Sequence, residues 1–211
     1  MEQKQAVNPW WEMWIKPKAT LRSILDTNCR HGFFQICFLV GLVQLLRLFQ
    51  YFSLATSLPL WGILALALIL AVPCGFVSLN LSTLFIYLTG KLFKGKGSYY
   101  EVRAAVTWPN VTAIFSLIFI GVLVLTFQGD FFYRKFIETP FLLSTIVFFL
   151  DVVLGIWNIV LLVLALSEAQ GFSGGRSVLN LLLATIIYAV LFLVVSTLFS
   201  SGESNLGLLM R

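Results

Sequence analysis

Charge is what this chain has least of. Only 11% of its 211 residues are Asp, Glu, Lys or Arg, where soluble domains carry about a quarter. Apolar residues make up 59%, with 20 Phe and 6 Trp among them. So few ionic groups cannot cover a water-facing surface, which excludes a soluble globular domain and leaves an integral membrane protein. Histidine is almost missing as well: His31 is the single one, at a membrane edge and without a metal-ligand companion at useful spacing, so no metal site is expected. Cys29, Cys37 and Cys74 are odd in number and form no CxxC. The last two lie within apolar runs and read as small core residues, not as a disulfide framework. No Ser, His and Asp set and no paired carboxylates occur, so neither enzyme chemistry nor a cofactor is expected. Position 2 is not Gly, which excludes N-myristoylation, and no short apolar core leads to a small-residue cleavage site, so no secretory signal is read.

Two patterns resemble sites and are refused on physical grounds. Gly90-Lys-Leu-Phe-Lys-Gly95-Lys96 has phosphate-loop spacing, but Gly97 stands where a Ser or Thr should ligate magnesium, and no strand precedes it. Asn80-Leu-Ser and Asn110-Val-Thr fit the glycosylation sequon yet lie inside apolar runs, out of reach of the modifying enzyme.

What is abundant is long apolar sequence. Runs over residues 32–56, 59–89, 104–127, 141–166 and 177–200 each approach or exceed the ~20 residues that cross a bilayer. The expected fold is therefore all-α, a single five-span membrane domain over 32–200, preceded by a cytoplasmic, interfacial amphipathic segment over 1–31 and followed by a short tail over 201–211. The second run holds Pro73-Cys74-Gly75 and predicts a tilted or broken helix. Residues 8–26 place Trp10, Trp11 and Trp14 beside Lys16, Lys18 and Arg22, with Leu21, Ile24 and Leu25 as an apolar face. Indole rings favour headgroup depth and cationic stems reach phosphates, so this reads as an interfacial amphipathic segment, with Pro17 opening a second short helix.

Topology follows from the cations. Lys4, Lys16, Lys18, Arg22 and Arg30 precede the first run, Lys91, Lys94, Lys96 and Arg103 lie in the basic stretch 90–110 after the second, and Arg176 follows the fourth. Arg134, Lys135 and Arg211 fall on the opposite side, ten against three. The excess predicts a cytoplasmic amino terminus. The net charge of +5 is thereby assigned to topology and anionic lipid headgroups, and nucleic acid is set aside as a partner.

Two charges remain inside the spans. Counting from the outer ends of helices running in opposite directions, Arg47 and Asp151 both fall about 15 Å deep at 1.5 Å per residue. An isolated ion there is costly, so the two are expected to pair or to face water. Gln44 shares the Arg47 face, and Gly155 and Asn158 share the Asp151 face, giving an intramembrane polar seam of Gln44, Arg47, Asp151 and Asn158. Asn80, Asn110 and Asn180 lie nearer the cytoplasmic side. The seam reads either as interhelical glue or as a path for a proton, ion or small polar solute.

Three motifs in order carry a family resemblance: Trp14-x-x-Pro17-x-x-Thr20-x-Arg22-x-Ile24-Leu25; Gly95-Lys96-Gly97-Ser98-Tyr99-Tyr100-Glu101 leading to Ala104, Ala105 and Trp108-Pro109; and Trp157 through Leu166-x-Glu168-Ala169-Gln170-Gly171-Phe172-Ser173. With five spans between and around them they resemble the Yip1 domain family over nearly the whole chain, its bacterial members more than its eukaryotic ones. The resemblance implies a five-helix membrane bundle with a cytoplasmic amino terminus, in a bacterial inner membrane, or in the endoplasmic reticulum or Golgi if the source is eukaryotic. Eukaryotic members are associated with vesicle traffic and Rab GTPases. This sequence lacks their long polar amino-terminal region and an Asp-Leu-Tyr-Gly-Pro motif, so Rab binding is not carried over. What is implied is a non-enzymatic scaffold, organiser or trafficking-type adaptor. Its cytoplasmic face, Trp10, Trp11, Trp14, Lys91, Lys94, Lys96, Glu101, Arg103, Glu168 and Arg176, would meet anionic headgroups or membrane or cytoplasmic proteins, with homo-oligomers left open. The competing expectation is a small transporter or channel using the polar seam.

Overall fold

The computed structural model describes residues 8–134 and 141–209, and among them every regular element is helical. Lys4, Lys135 and Arg211, which enter the count of cations above, lie outside them. The helices are α1 (Pro9–Ile15), α2 (Pro17–Thr27), α3 (Phe33–Tyr51), α4 (Leu60–Leu92), α5 (Tyr99–Thr107), α6 (Ala113–Phe127), α7 (Phe141–Gln170) and α8 (Gly174–Leu209). Among the described residues, five stretches are long and apolar enough to span a bilayer: Phe33–Tyr51, Leu60–Leu92, Tyr99–Phe132, Thr145–Gln170 and Gly174–Val194.

Helices α3 and α4 form the centre of the bundle, and glycine is what lets them approach. A Cβ placed on Gly41 would collide with the carbonyl oxygen of Ala71, and one on Gly75 with that of Cys37. The paired spacings Cys37-x3-Gly41 and Ala71-x3-Gly75 thus bring backbone against backbone, the close packing that joins helices where lipid removes any hydrophobic drive. The same contact bears on an expectation that the structure corrects. Pro73 does not break α4, which runs through it from Leu60 to Leu92. Its ring is exposed while Ala71 and Gly75 on either side are buried, so the packed face lies away from the ring and the helix continues past it.

The break falls in the third span instead. Between α5 and α6 the chain tightens into a 3-10 turn over Trp108–Thr112, where Pro109 cannot donate to the preceding turn. Side-chain amides serve the carbonyls this region presents: Asn110 Nδ2 donates to Val106 O at 2.8 Å, and Asn158 Nδ2 on α7 donates to Pro109 O and to Thr112 Oγ1, both at 3.0 Å. Polar side chains from neighbouring helices make such breaks tolerable at membrane depth.

Two apolar clusters fill the interior. One, at the end that carries α1 and α2, includes Met13, Leu21, Ile36, Val102, Trp108 and Leu166. The other, at the opposite end, includes Leu45, Phe49, Ile63, Ile120 and Phe132. Helices α7 and α8 turn wide apolar faces outward, with Ile156, Ile159, Leu182 and Ile186 all more than half exposed. These faces have the character of lipid-facing surface.

Candidate functional site

The three sequence motifs converge into one cap over the end of the bundle. Its first wall is the amino-terminal segment. Asn8 caps α1 by accepting from Trp10 N at 3.2 Å, and Pro9 and Pro17 occupy first helical positions, where a missing N–H costs nothing. Thr20 donates back to Lys16 O at 2.9 Å and is buried with Met13, Leu21 and Ile24. The segment is amphipathic as expected, but its buried side faces protein. Trp10 packs edge-on against Trp108 at 5.6 Å and Trp14 against Phe115 at 5.0 Å, leaving Trp11 (70% exposed) and Ile15 (78%) outermost. Trp108 is itself wholly buried, and Gly32, at φ 71°, lies so close beneath it that any Cβ there would strike its ring.

The second wall is the basic stretch, which is shorter as a loop than the sequence suggests. Only residues 93–98 lie outside helices, because Ser98 starts α5 with a capping box. Ser98 N donates to Glu101 Oε2 at 2.6 Å, and Glu101 N to Ser98 Oγ at 3.3 Å. Glu101 is therefore occupied with holding the helix start. Lys91 stays exposed but folds back onto the loop, its Nζ donating to Gly97 O at 3.2 Å and lying over the Tyr87 ring. Arg103 lies over Phe33 at 4.3 Å and Tyr100 at 5.0 Å, and Arg30 covers Tyr100 at 4.7 Å. These cation–π contacts lock the start of α5 to the α2–α3 corner. Lys94 and Lys96 stay exposed.

The third wall is the turn after α7. Lys96 N donates to Gln170 O at 3.1 Å. The glycines make this clasp fit: a Cβ on Gly90 or Gly95 would run into the Gln170 side chain, and one on Gly97 into Ala169 O. Gln170 is 2% exposed, and Phe172 is buried beside it. From the other side Arg22 Nε donates to Glu168 Oε1 at 2.6 Å, tying the amino-terminal segment to the same turn. Asn180 accepts from Thr89 Oγ1 at 2.5 Å to close α8 onto α4. Arg176 points outward. Cys29 lies in this cap with its thiol pKa pushed up, first by burial and then by the nearby charge of Glu101.

Deeper in the bundle, Arg47 Nη2 lies 2.7 Å from Asp151 Oδ1. The other two seam residues turn elsewhere. Gln44 donates to Ser78 Oγ on α4 at 2.9 Å and accepts from Cys74 Sγ, while Asn158 serves the 3-10 turn. All four nevertheless line one cavity of about 350 Å³ between α3, α6 and α7. A neighbouring cavity of about 270 Å³ shares Val40, Gln44, Asn110 and Asn158 with it. The seam is thus a set of polar groups in a mostly apolar wall, and not a continuous ladder of bonds between two helices. The sequence pointed neither to Gly41 at the α3–α4 contact nor to Ser116 in the cavity. The repeated four-residue spacing of small residues in α3 and α4 was the available signal for the first.

Among the described residues, no group of His, Cys, Asp and Glu is placed to hold a metal ion. An all-helical chain with five membrane-length spans and a three-motif cap defines a multi-pass membrane protein. The Yip1 domain model matches residues 11–197, and the chain belongs to that family, whose members are non-catalytic membrane proteins. Neither a curated protein nor a solved structure matches it.

Proposed function

We propose that this protein is a non-enzymatic scaffold or adaptor of a bacterial inner membrane, with the cap on the cytoplasmic side and used as its contact surface. One observation carries this reading: the three family motifs, far apart in sequence, fold onto one another with their small and apolar residues inward and Lys18, Lys94, Lys96 and Arg176 outward. A packed core beneath a basic rim, with Trp11 and Ile15 beside it, suits anionic headgroups together with an acidic protein partner. Crosslinking and pull-down from native membranes test it. The wild type should capture a defined protein, and Lys94→Glu with Lys96→Glu should lose it while the protein remains folded; an unchanged capture set would defeat the proposal.

The transporter reading draws on the Arg47–Asp151 cavity. Its test is flux: purified protein in liposomes that moves no ion or small polar solute, with Asp151→Asn altering stability alone, removes it.

A further inference from the structure

The cavity around Arg47 and Asp151 is built for more than a structural ion pair. A guanidinium meeting a carboxylate commonly engages both oxygens through two parallel N–H donors. Here one bond is made, Nη2 to Oδ1. Among the described residues, no other hydrogen bond reaches the Arg47 guanidinium or Asp151 Oδ2. The two side chains are 44% and 27% exposed and line the same cavity of about 350 Å³, within the range of small-molecule sites. The amides around them are committed elsewhere, Asn158 to the 3-10 turn and Gln44 to Ser78. Ser116 is different. A hydroxyl in a membrane helix ordinarily bonds back to the preceding turn, yet Ser116 lines the cavity with no such bond among the described residues.

We propose that this cavity binds a zwitterion that joins a phosphate to a primary ammonium, the phosphoethanolamine type. The unused guanidinium donors match phosphate oxygens, Ser116 adds a hydroxyl donor, and Asp151 Oδ2 accepts from the ammonium. Charge decides against simpler ligands. An anion alone on those donors would leave the neutral pair with a net negative charge at membrane depth, and a cation alone on Asp151 with a net positive one, each a costly outcome. A zwitterion satisfies both and adds no net charge. The cavity is open at Gly155, where a Cβ would meet no atom within 4 Å and the flanking Val152 and Ile156 are exposed. The inference is independent of the cap, so failure of one leaves the other standing.

The experiment is a thermal-unfolding titration of the full chain in delipidated detergent micelles. Lipids of identical acyl chains carry phosphoethanolamine, phosphocholine or phosphoglycerol headgroups, and soluble glycerophosphoethanolamine, a phosphodiester that keeps the zero net charge, forms a further arm. The ethanolamine lipid should raise the melting temperature most. Choline lacks the N–H that Asp151 needs, and phosphoglycerol carries a net charge. Gly155→Phe, which fills the space and keeps the ion pair, should weaken the apparent affinity roughly tenfold or more, and Ser116→Ala should weaken it by a smaller factor. A shift with the lipid alone identifies the bilayer as the source, and a shift with the soluble ester as well identifies the headgroup as sufficient. Equal shifts with all three lipids, no shift with either ethanolamine compound, or full binding by Gly155→Phe would each overturn the proposal.

Discussion

Arg22 on α2 and Glu168 near the end of α7 meet at 2.6 Å, although 146 residues separate them in sequence. The arginine is 70% exposed and the glutamate 17%, so the pair locates the amino-terminal segment more than it stabilises it. Exposed pairs of this kind contribute about 0.2–1 kcal/mol and are screened by salt. Arg22→Ala and Glu168→Ala should each lower stability by about that amount, with a coupling in the double-mutant cycle that fades in high salt. A coupling that ignores salt would mean the contact is buried in the membrane-bound protein.

Glycine substitutions should have opposite signs at two positions. Gly41→Ala forces a methyl into Ala71 O and should destabilise by about 1–3 kcal/mol, the cost of overpacking. Gly155→Ala adds a methyl where there is open space and should stabilise by up to about 1 kcal/mol through helix propensity. Thermal unfolding in detergent reads both, and matching effects would remove the close-approach account of α3 and α4.

For the intramembrane pair, Asp151→Asn alone strands a guanidinium at depth, while Asp151→Asn with Arg47→Gln strands nothing. The single variant should therefore be the less stable of the two, with a coupling of about 1 kcal/mol or more between the sites. Additive effects would show that Arg47 and Asp151 are solvated separately.

Sidedness can be read with cysteine chemistry once Cys29, Cys37 and Cys74 are replaced. Lys96→Cys should resist a membrane-impermeant maleimide added outside intact cells, and Arg134→Cys should react. The reverse pattern would invert the topology and place the cap outside.

Cys29 offers a pH test in the native protein. Its thiol pKa is raised, first by burial and then by Glu101, so less thiolate is present at neutral pH and alkylation should keep accelerating above the range in which ordinary thiols level off. Any stability this thiol contributes is present at low pH and is lost as pH rises through its raised pKa. Glu101→Gln removes the negative charge while a Gln can still complete the capping box, so the alkylation profile should move to lower pH. An unmoved profile would leave burial as the sole cause.

Much of this was written in the sequence because a bilayer imposes hard lengths and steep charge penalties. Five runs of adequate length became five spans, Pro17 opened α2, and depth alone brought Arg47 to Asp151. What stayed hidden depended on partners distant in sequence. Pro73 and Pro109 are alike as residues, yet α4 continues through one, whose ring lies off the face where Ala71 and Gly75 meet α3. The third span breaks at the other, where Asn110 and Asn158 bond the local carbonyls. Gly95 and Gly97 are only motif letters in the sequence, whereas in the fold they are contact points that only a hydrogen side chain can occupy beside Gln170 and Ala169. Glu101 looked like a surface charge and is the reciprocal half of a cap.

The order of synthesis gives the clasp at Glu168 a temporal meaning. Translation at 5–20 residues per second delivers Arg22 roughly 7–30 s before its acidic partner. During that interval α1 and α2 have no finished bundle to cover, and the surface of the bilayer is the only apolar shelter within reach of Met13, Leu21 and Ile24. Tryptophans that finish as packing for Trp108 and Phe115 would begin as a temporary anchor, relieved as the third span supplies those partners and fastened by Glu168 once the fourth has threaded.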